Sequence, residues 1–449
     1  MRRKIDNLLM EWKKSKEKKS LLILGARQVG KTYAVDEFSK TYSNYLYINF
    51  EIQTDAIDLF NGNLDAETII MNLSIKYSKI PLEPGSTLIF FDEIQNCPSA
   101  IVSLKSFTID GKYDVIASGS LLGVNYKEVS SYPVGCVDII RLRSMDFEEF
   151  LWADGMKQEH IDKVRSCISK KTPIDKFVLD AFNDLHRYYM LVGGMPAAVK
   201  TYLETKNFQK VRAVQDKINE MYLSDVAKYA PKLEKANAGG CFRSIPAQLA
   251  KNNKRFSYSD VIHGTNSNAK TLGGSLAWLR DAGLVYYCYN LQEPALPLAS
   301  NIRLNSFKLY MHDTGLLLSM MEDTTSVAIL NDDIYVNGGG IMENVVGEAL
   351  VKNNIPLTYF ERGGRLEIDF ILGLGEDITA LEVKSGNNRQ SKSLDSIMSD
   401  KYKVKRGIKL ERSNIYVDEK GIEHYPLFTA SFIDCLDSAR NMQFKSIRL

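Results

Sequence analysis

Four apolar residues, Leu21–Leu24, run directly into the string GARQVGKT at residues 25–32, and no other stretch limits the fold of this chain so tightly. An apolar run that short has the length of a buried strand, whereas Tyr33–Phe38 continues with helical spacing. A G-x-x-x-x-G-K-[ST] turn between strand and helix aims successive backbone N–H groups at phosphate, and the partial positive charge of the helix N-terminus adds to them. Gly25 and Gly30 permit the backbone angles, and Ala26, Arg27, Gln28 and Val29 supply the cradle. Lys31 would reach the β- and γ-phosphates and Thr32 would bring a hydroxyl to magnesium. The alternative is a glycine-rich turn with no ligand.

A nucleotide site also needs a carboxylate for the metal and a group that activates water. A second buried-strand run, Leu88–Phe91, ends in Asp92 and Glu93, which fit those two roles in that order. A third run, Tyr113–Ala117, closes on Ser118, Gly119 and Ser120; the Ser118 hydroxyl would reach the γ-phosphate, although this tripeptide is equally a good turn.

These residues resemble the bacterial and archaeal P-loop ATPases of the AAA+ class that carry a C-terminal domain of unknown function, DUF4143. The similarity extends through SGSLLG at 118–123, DFEEFL at 146–151 and LVGGMPAAV at 191–199. It implies ATP and Mg2+ as cofactors and an arginine that senses the γ-phosphate. The chain has Gly135 and Cys136 where that family has Gly-Arg, which leaves Arg141 and Arg143 as candidates or as ordinary surface residues.

At 449 residues the chain has room for several domains, and a net charge of +2 selects no acidic partner, so any basic surface is local. Six scattered cysteines and five histidines form neither a zinc knuckle nor a disulfide framework. MRRK at the start is followed by no apolar run, and no later run has membrane-spanning length, so a cytoplasmic protein with no membrane contact is expected.

Residues 154–240 read as helices that would pack as a lid beside the nucleotide. From Cys241 the order becomes a helix through Leu249, a second near Tyr258–His263, a third at Ala269–Ala282 and a strand from Leu284, as in a winged helix-turn-helix. In the third helix Leu272, Leu276 and Leu279 face inward, leaving Lys270, Thr271, Ser275 and Arg280 outside. With Lys251, Lys254 and Arg255 in the preceding turn they would meet nucleic acid, or else the module only packs.

Further on, a helix carries Glu343, one strand carries Arg365–Leu372 with Asp369, and the next carries Glu382 and Lys384. The two-residue period puts Asp369, Glu382 and Lys384 on one side. The set resembles the PD-(D/E)xK nuclease fold, which implies metal held by Asp369 and Glu382, with Glu343 completing the shell and Lys384 acting on water or phosphate. Such folds also serve as binding platforms without cleavage.

The expected architecture is therefore α/β: a leading basic helix (1–19), an AAA+ P-loop parallel sheet (20–153), a helical lid (154–240), a winged helix-turn-helix (241–330) and a PD-(D/E)xK-like domain (331–449). The expected function is ATP hydrolysis coupled to work on nucleic acid, with or without metal-dependent cleavage. The alternative is a regulatory or signalling ATPase switch whose C-terminal modules bind a protein partner and do no chemistry; a second copy of the chain is a further candidate partner.

Overall fold

A computed structural model describes residues 1–120, 135–230, 235–261, 268–333, 338–364, 366–384, 392–399 and 401–437. The sequence motif SGSLLG runs past the described residues at Leu121, as do the end of the expected second winged helix at His263 and the start of an expected strand at Arg365. The chain forms two compact units, Met1–Ser144 with Asp281–Gly283, and Met145–Arg280 with Leu284–Leu449.

The first unit is built on five strands, β1 (Ser20–Gly25), β2 (Asn44–Asn49), β3 (Thr87–Asp92), β4 (Asp114–Ser120) and β5 (Val137–Arg141). They lie in the order β2-β3-β4-β1-β5, all parallel, which is the sheet of P-loop AAA+ proteins. Parallel strands are buried on both faces, and β1, β3 and β4 are buried along their whole length. Phe50, Phe60 and Phe91 pack in the core between the sheet and its helices, with Phe60 edge-on to Phe91 at 5.4 Å. β2 and β5 escaped the sequence reading because they alternate or sit half-exposed.

The second unit begins with helices, Phe147–Ala153, Gln158–Lys170, Lys176–Val192, Pro196–Thr205 and Phe208–Tyr229. Asp146 and Glu149 of DFEEFL form a capping box, each side chain accepting from the other's backbone N–H at 2.9 and 3.1 Å. The GGMP turn is a close approach: a Cβ on Gly194 would lie 1.9 Å from Met145 O, and its N–H donates to the buried Asp313 carboxylate at 2.7 Å. These two motifs therefore have structural work within this unit.

Two sheets follow. β6 (Val285–Leu291), β7 (Ile302–Met311), β8 (Thr358–Arg362) and β9 (Leu366–Ile368) form one, in the order β7-β6-β8-β9. β10 (Phe370–Leu374), β11 (Asp377–Val383), β12 (Arg406–Glu411), β13 (Tyr416–Val417) and β14 (Glu423–Pro426) form the other, in the order β10-β11-β12-β14-β13. The hairpin β6–β7, expected to end a winged helix, thus shares a sheet with strands from beyond residue 331. The single strand expected around Asp369 is instead two, and the chain changes sheets at that residue. One apolar cluster draws on both sheets, from Leu291, Phe360 and Ile368 to Ile371 and Ala380.

Helix Lys235–Leu249 and helix Ala269–Asp281 flank a short 3-10 turn at Tyr258–Asp260. Ser275, expected to face outward, is fully buried, because it lies three residues from Leu272 and beside Leu276 on the same apolar stripe.

Candidate functional site

β1 delivers Gly25 to the edge of the turn, where a Cβ would lie 2.2 Å from Leu142 O, so only glycine fits without moving backbone. The turn passes through left-handed Gln28 (φ +63°) and Gly30 (φ +96°) before the helix Lys31–Ser39 begins. Lys31 is buried and its ammonium donates to Gly25 O and Ala26 O, both at 3.0 Å. Burial lowers its pKa, against the opposing pull of Glu93 and Asp92.

β3 ends at Asp92, whose two carboxylate oxygens accept from five donors. Its Oδ2 accepts from Thr32 Oγ1 at 2.9 Å, from the Tyr47 hydroxyl at 3.1 Å and from Asn49 Nδ2 at 3.3 Å. Its Oδ1 accepts from the Ser118 hydroxyl and from the Glu93 backbone N–H. Parallel pairing of β1, β3 and β4 puts their C-terminal ends side by side, which is why residues as distant as Thr32, Asp92 and Ser118 meet. Glu93 itself is left-handed (φ +51°), an uncommon backbone for a residue with a side chain, and its carboxylate accepts from Gln95. Tyr47 and Asn49 were not singled out in the sequence. The signal was available, since YLYIN places two polar side chains on alternate positions of a strand end. Of the arginines, Arg141 is exposed at the end of β5 and Arg143 is half-buried.

The set fits magnesium by its chemistry: a hydroxyl and a carboxylate in mutual contact are hard oxygen donors beside a turn of N–H groups.

The C-terminal residues are arranged differently from the expectation. Glu343, on the helix Gly338–Lys352, is buried and bonded to lysines: Lys308 Nζ lies 3.0 Å from Oε2 and Lys254 Nζ 2.8 Å from Oε1. The Tyr310 hydroxyl adds a bond to Oε2 at 3.0 Å. Burial alone would raise the Glu343 pKa, but Lys308 and Lys254 outweigh it and hold the carboxyl down at about 2. Lys308 also reaches Glu367 at 2.8 Å and stands 4.0 Å from Asp369. Asp369 accepts the Val383 N–H at 2.8 Å, and burial, then the Glu343 charge, pushes it up to about 8. Continuing the β10–β11 register puts Asp369 opposite Glu382, and Glu382 pairs with Lys384.

The expected shell of Glu343, Asp369 and Glu382 has lysines among its acids. Glu343 faces two ammonium groups, and among the described residues no group of three His, Cys, Asp or Glu side chains has an arrangement that could hold a metal. In the basic turn Lys251 pairs with Asp260 and Lys254 with Glu343, while Arg255 stays exposed. All six cysteines are free, and among the described residues no helix is long and apolar enough to cross a membrane.

Three family descriptions match the chain: an AAA domain over residues 17–151, a domain of unknown function, DUF8612, over 183–326, and a domain of unknown function, DUF4143, over 338–429. No curated protein matches. Among solved structures the chain is similar to the Walker-type ATPase of Pyrococcus abyssi, at 14% identity over 71% of this chain and 95% of that one, with a TM-score of 0.42. It is also similar to the Aeropyrum pernix ORC1 protein in complex with DNA (11% identity, 74% and 91% covered, TM-score 0.27). A third is AMPPCP-bound DnaA from Aquifex aeolicus (15% identity, 62% and 87% covered, TM-score 0.27). At these scores none of the three bears on the chemistry of this chain. Its own motifs do, together with the match of residues 17–151 to an AAA domain; residues 183–326 and 338–429 match domains whose functions are unknown.

Proposed function

We propose that the chain binds ATP with magnesium at residues 25–32 and hydrolyses it, and that its second unit passes the nucleotide state to a bound partner. The observation that carries the first part is the convergence of Lys31, Thr32, Ser118 and Asp92 at the ends of adjacent parallel strands. The Lys31 ammonium, now resting on Gly25 O and Ala26 O, would exchange those carbonyls for the β- and γ-phosphate oxygens. Thr32 and Asp92 would hold magnesium, which when bound neutralises charge growing on the phosphates. Glu93 would orient the attacking water and take its proton, once Gln95 releases the carboxylate. Ser118, bonded to the Asp92 carboxylate that would hold the metal, would register the loss of the γ-phosphate through that bond.

Nucleic acid is the partner to test first, on the strength of exposed Lys270 and Arg280 on the helix Ala269–Asp281 and of exposed Arg255 earlier in the chain. The pairing of Lys308 and Lys254 with Glu343 favours a C-terminal region that binds over one that cleaves, because those charges compete with a metal for the same carboxylate. Steady-state ATP turnover with and without duplex and single-stranded DNA tests the reading. Acceleration by DNA that stays whole in magnesium or manganese supports an ATP-driven nucleic-acid switch. Cleavage that Asp369→Ala abolishes would restore the nuclease, and turnover indifferent to DNA would move the partner to a protein.

A further inference from the structure

The N-terminal helix Lys4–Lys14 places one side chain behind the phosphate turn. Arg3, immediately before the helix, is buried, and its backbone N–H is held by the Asp6 carboxylate at 2.8 Å. The helix is anchored in turn by Ile5, Leu9 and Trp12, with the Trp12 ring 6.3 Å from Phe38 of the helix that follows the turn. From that fixed position the guanidinium makes two directed bonds: Nη1 donates to Val29 O at 3.1 Å and Nη2 to Arg143 O at 2.9 Å.

Both carbonyls matter to the turn. Val29 is the residue before left-handed Gly30, and across a planar trans peptide the C=O and the next N–H point in opposite directions. Holding Val29 O toward Arg3 therefore directs the Gly30 N–H to the opposite side of that peptide, away from Arg3. Arg143 follows Leu142, whose carbonyl is the group a Cβ on Gly25 would strike and whose N–H donates to Leu24 O at 2.8 Å. One planar fork thus ties the end of the turn at Val29 to the segment that abuts its beginning at Gly25. Two parallel donors in fixed geometry are what a guanidinium supplies and an ammonium does not.

We infer that Arg3 is a positioning residue for the phosphate turn: it presets the Val29–Gly30 peptide so that nucleotide meets an organised cradle. The inference rests on the proposal that residues 25–32 bind ATP. Arg3 does not touch the nucleotide. The cradle grips the β-phosphate in ground and transition states alike, so loss of preorganisation falls on binding more than on the chemical step.

The experiment compares Arg3→Ala and Arg3→Lys with the unaltered chain in equilibrium binding of ATP and ADP, in KM and kcat, and in melting temperature without nucleotide. Arg3→Ala is expected to weaken both nucleotides about tenfold and raise KM to match, the order of effect of one lost charge-assisted bond to the turn, with kcat changed by less than about threefold. Arg3→Lys, which reaches one carbonyl at a time, should fall between, and millimolar guanidinium should recover part of the affinity of Arg3→Ala alone. Nucleotide affinity unchanged in Arg3→Ala would overturn the inference. So would a loss seen only in proportion to unfolded protein while Arg3→Lys, fully folded, binds as the unaltered chain does. An unaltered chain that binds no ATP would instead remove the function on which the inference rests.

Discussion

Replacing Lys308 with methionine removes the charge at the centre of the C-terminal carboxylates while keeping an unbranched chain in nearly the same space. The Lys308 side chain is 1% exposed and bridges Glu343, Glu367 and, at 4.0 Å, Asp369, so its loss leaves Glu343 with Lys254 as its remaining ion-pair partner. Removing one partner of a buried ion pair costs about 3–5 kcal/mol. Lys254 remains on Oε1, and Glu367 is about one-third exposed and can turn to water, which places the loss at the low end. For a unit of this size, with an unfolding entropy of about 2.1 cal/mol/K per residue, about 3 kcal/mol corresponds to a fall in melting temperature of about 5 °C. Thermal unfolding near neutral pH reads this directly, and adding Glu343→Gln to the same chain should return most of it. The gap should also narrow in acid. Glu343, held at about 2 against an ordinary 4.5, contributes stability above pH 4.5 that is lost as pH falls toward 2, and the variant has less of that contribution to lose. A single variant within about 1 kcal/mol of the unaltered chain would refute the claim that Lys308 neutralises this cluster.

Other outcomes follow from the same geometry. Gly25→Ala should abolish nucleotide binding and lower the melting temperature of the first unit, since its Cβ would press 2.2 Å from the Leu142 carbonyl; equal ATP affinity in the variant would contradict the packing. His186 is buried in an aromatic cluster 5.0 Å from Phe147, and burial pushes it down to about 3. Its unfolded form takes up a proton below the ordinary 6.5 while the folded form does not, so stability should fall between pH 6.5 and about 3. His186→Phe should flatten that slope in denaturant titrations across the range, and an unchanged slope would count against it.

The phosphate turn was legible because every one of its requirements is local: an apolar strand, glycines at two fixed offsets and a helical continuation. Asp92 and Ser118 were legible for the same reason, as polar residues at the ends of apolar runs. What lay hidden depends on partners far along the chain. Lys308 sits in the run Phe307–Met311, where a lone lysine in a buried strand signals an opposite charge but does not name Glu343. Asp369 follows a period of two that any half-exposed strand would show, and nothing local marks the change of sheets there. Ser275 was misplaced by assigning only leucines to the apolar stripe of its helix. The GGMP turn was visible as a motif, but its contact with Asp313 spans 119 residues and required the fold.

The claim that this chain hydrolyses ATP at the end of β3 is tested most directly by measuring ATP binding and turnover side by side in Glu93→Gln and Lys31→Ala. Glu93→Gln keeps the size of the side chain and leaves Asp92 with its partners, so it should bind ATP as the unaltered chain does and hydrolyse it at least ~100-fold more slowly. Lys31→Ala should lose binding and turnover together. Full turnover by Lys31→Ala, or equal losses of binding and hydrolysis in Glu93→Gln, would contradict the account.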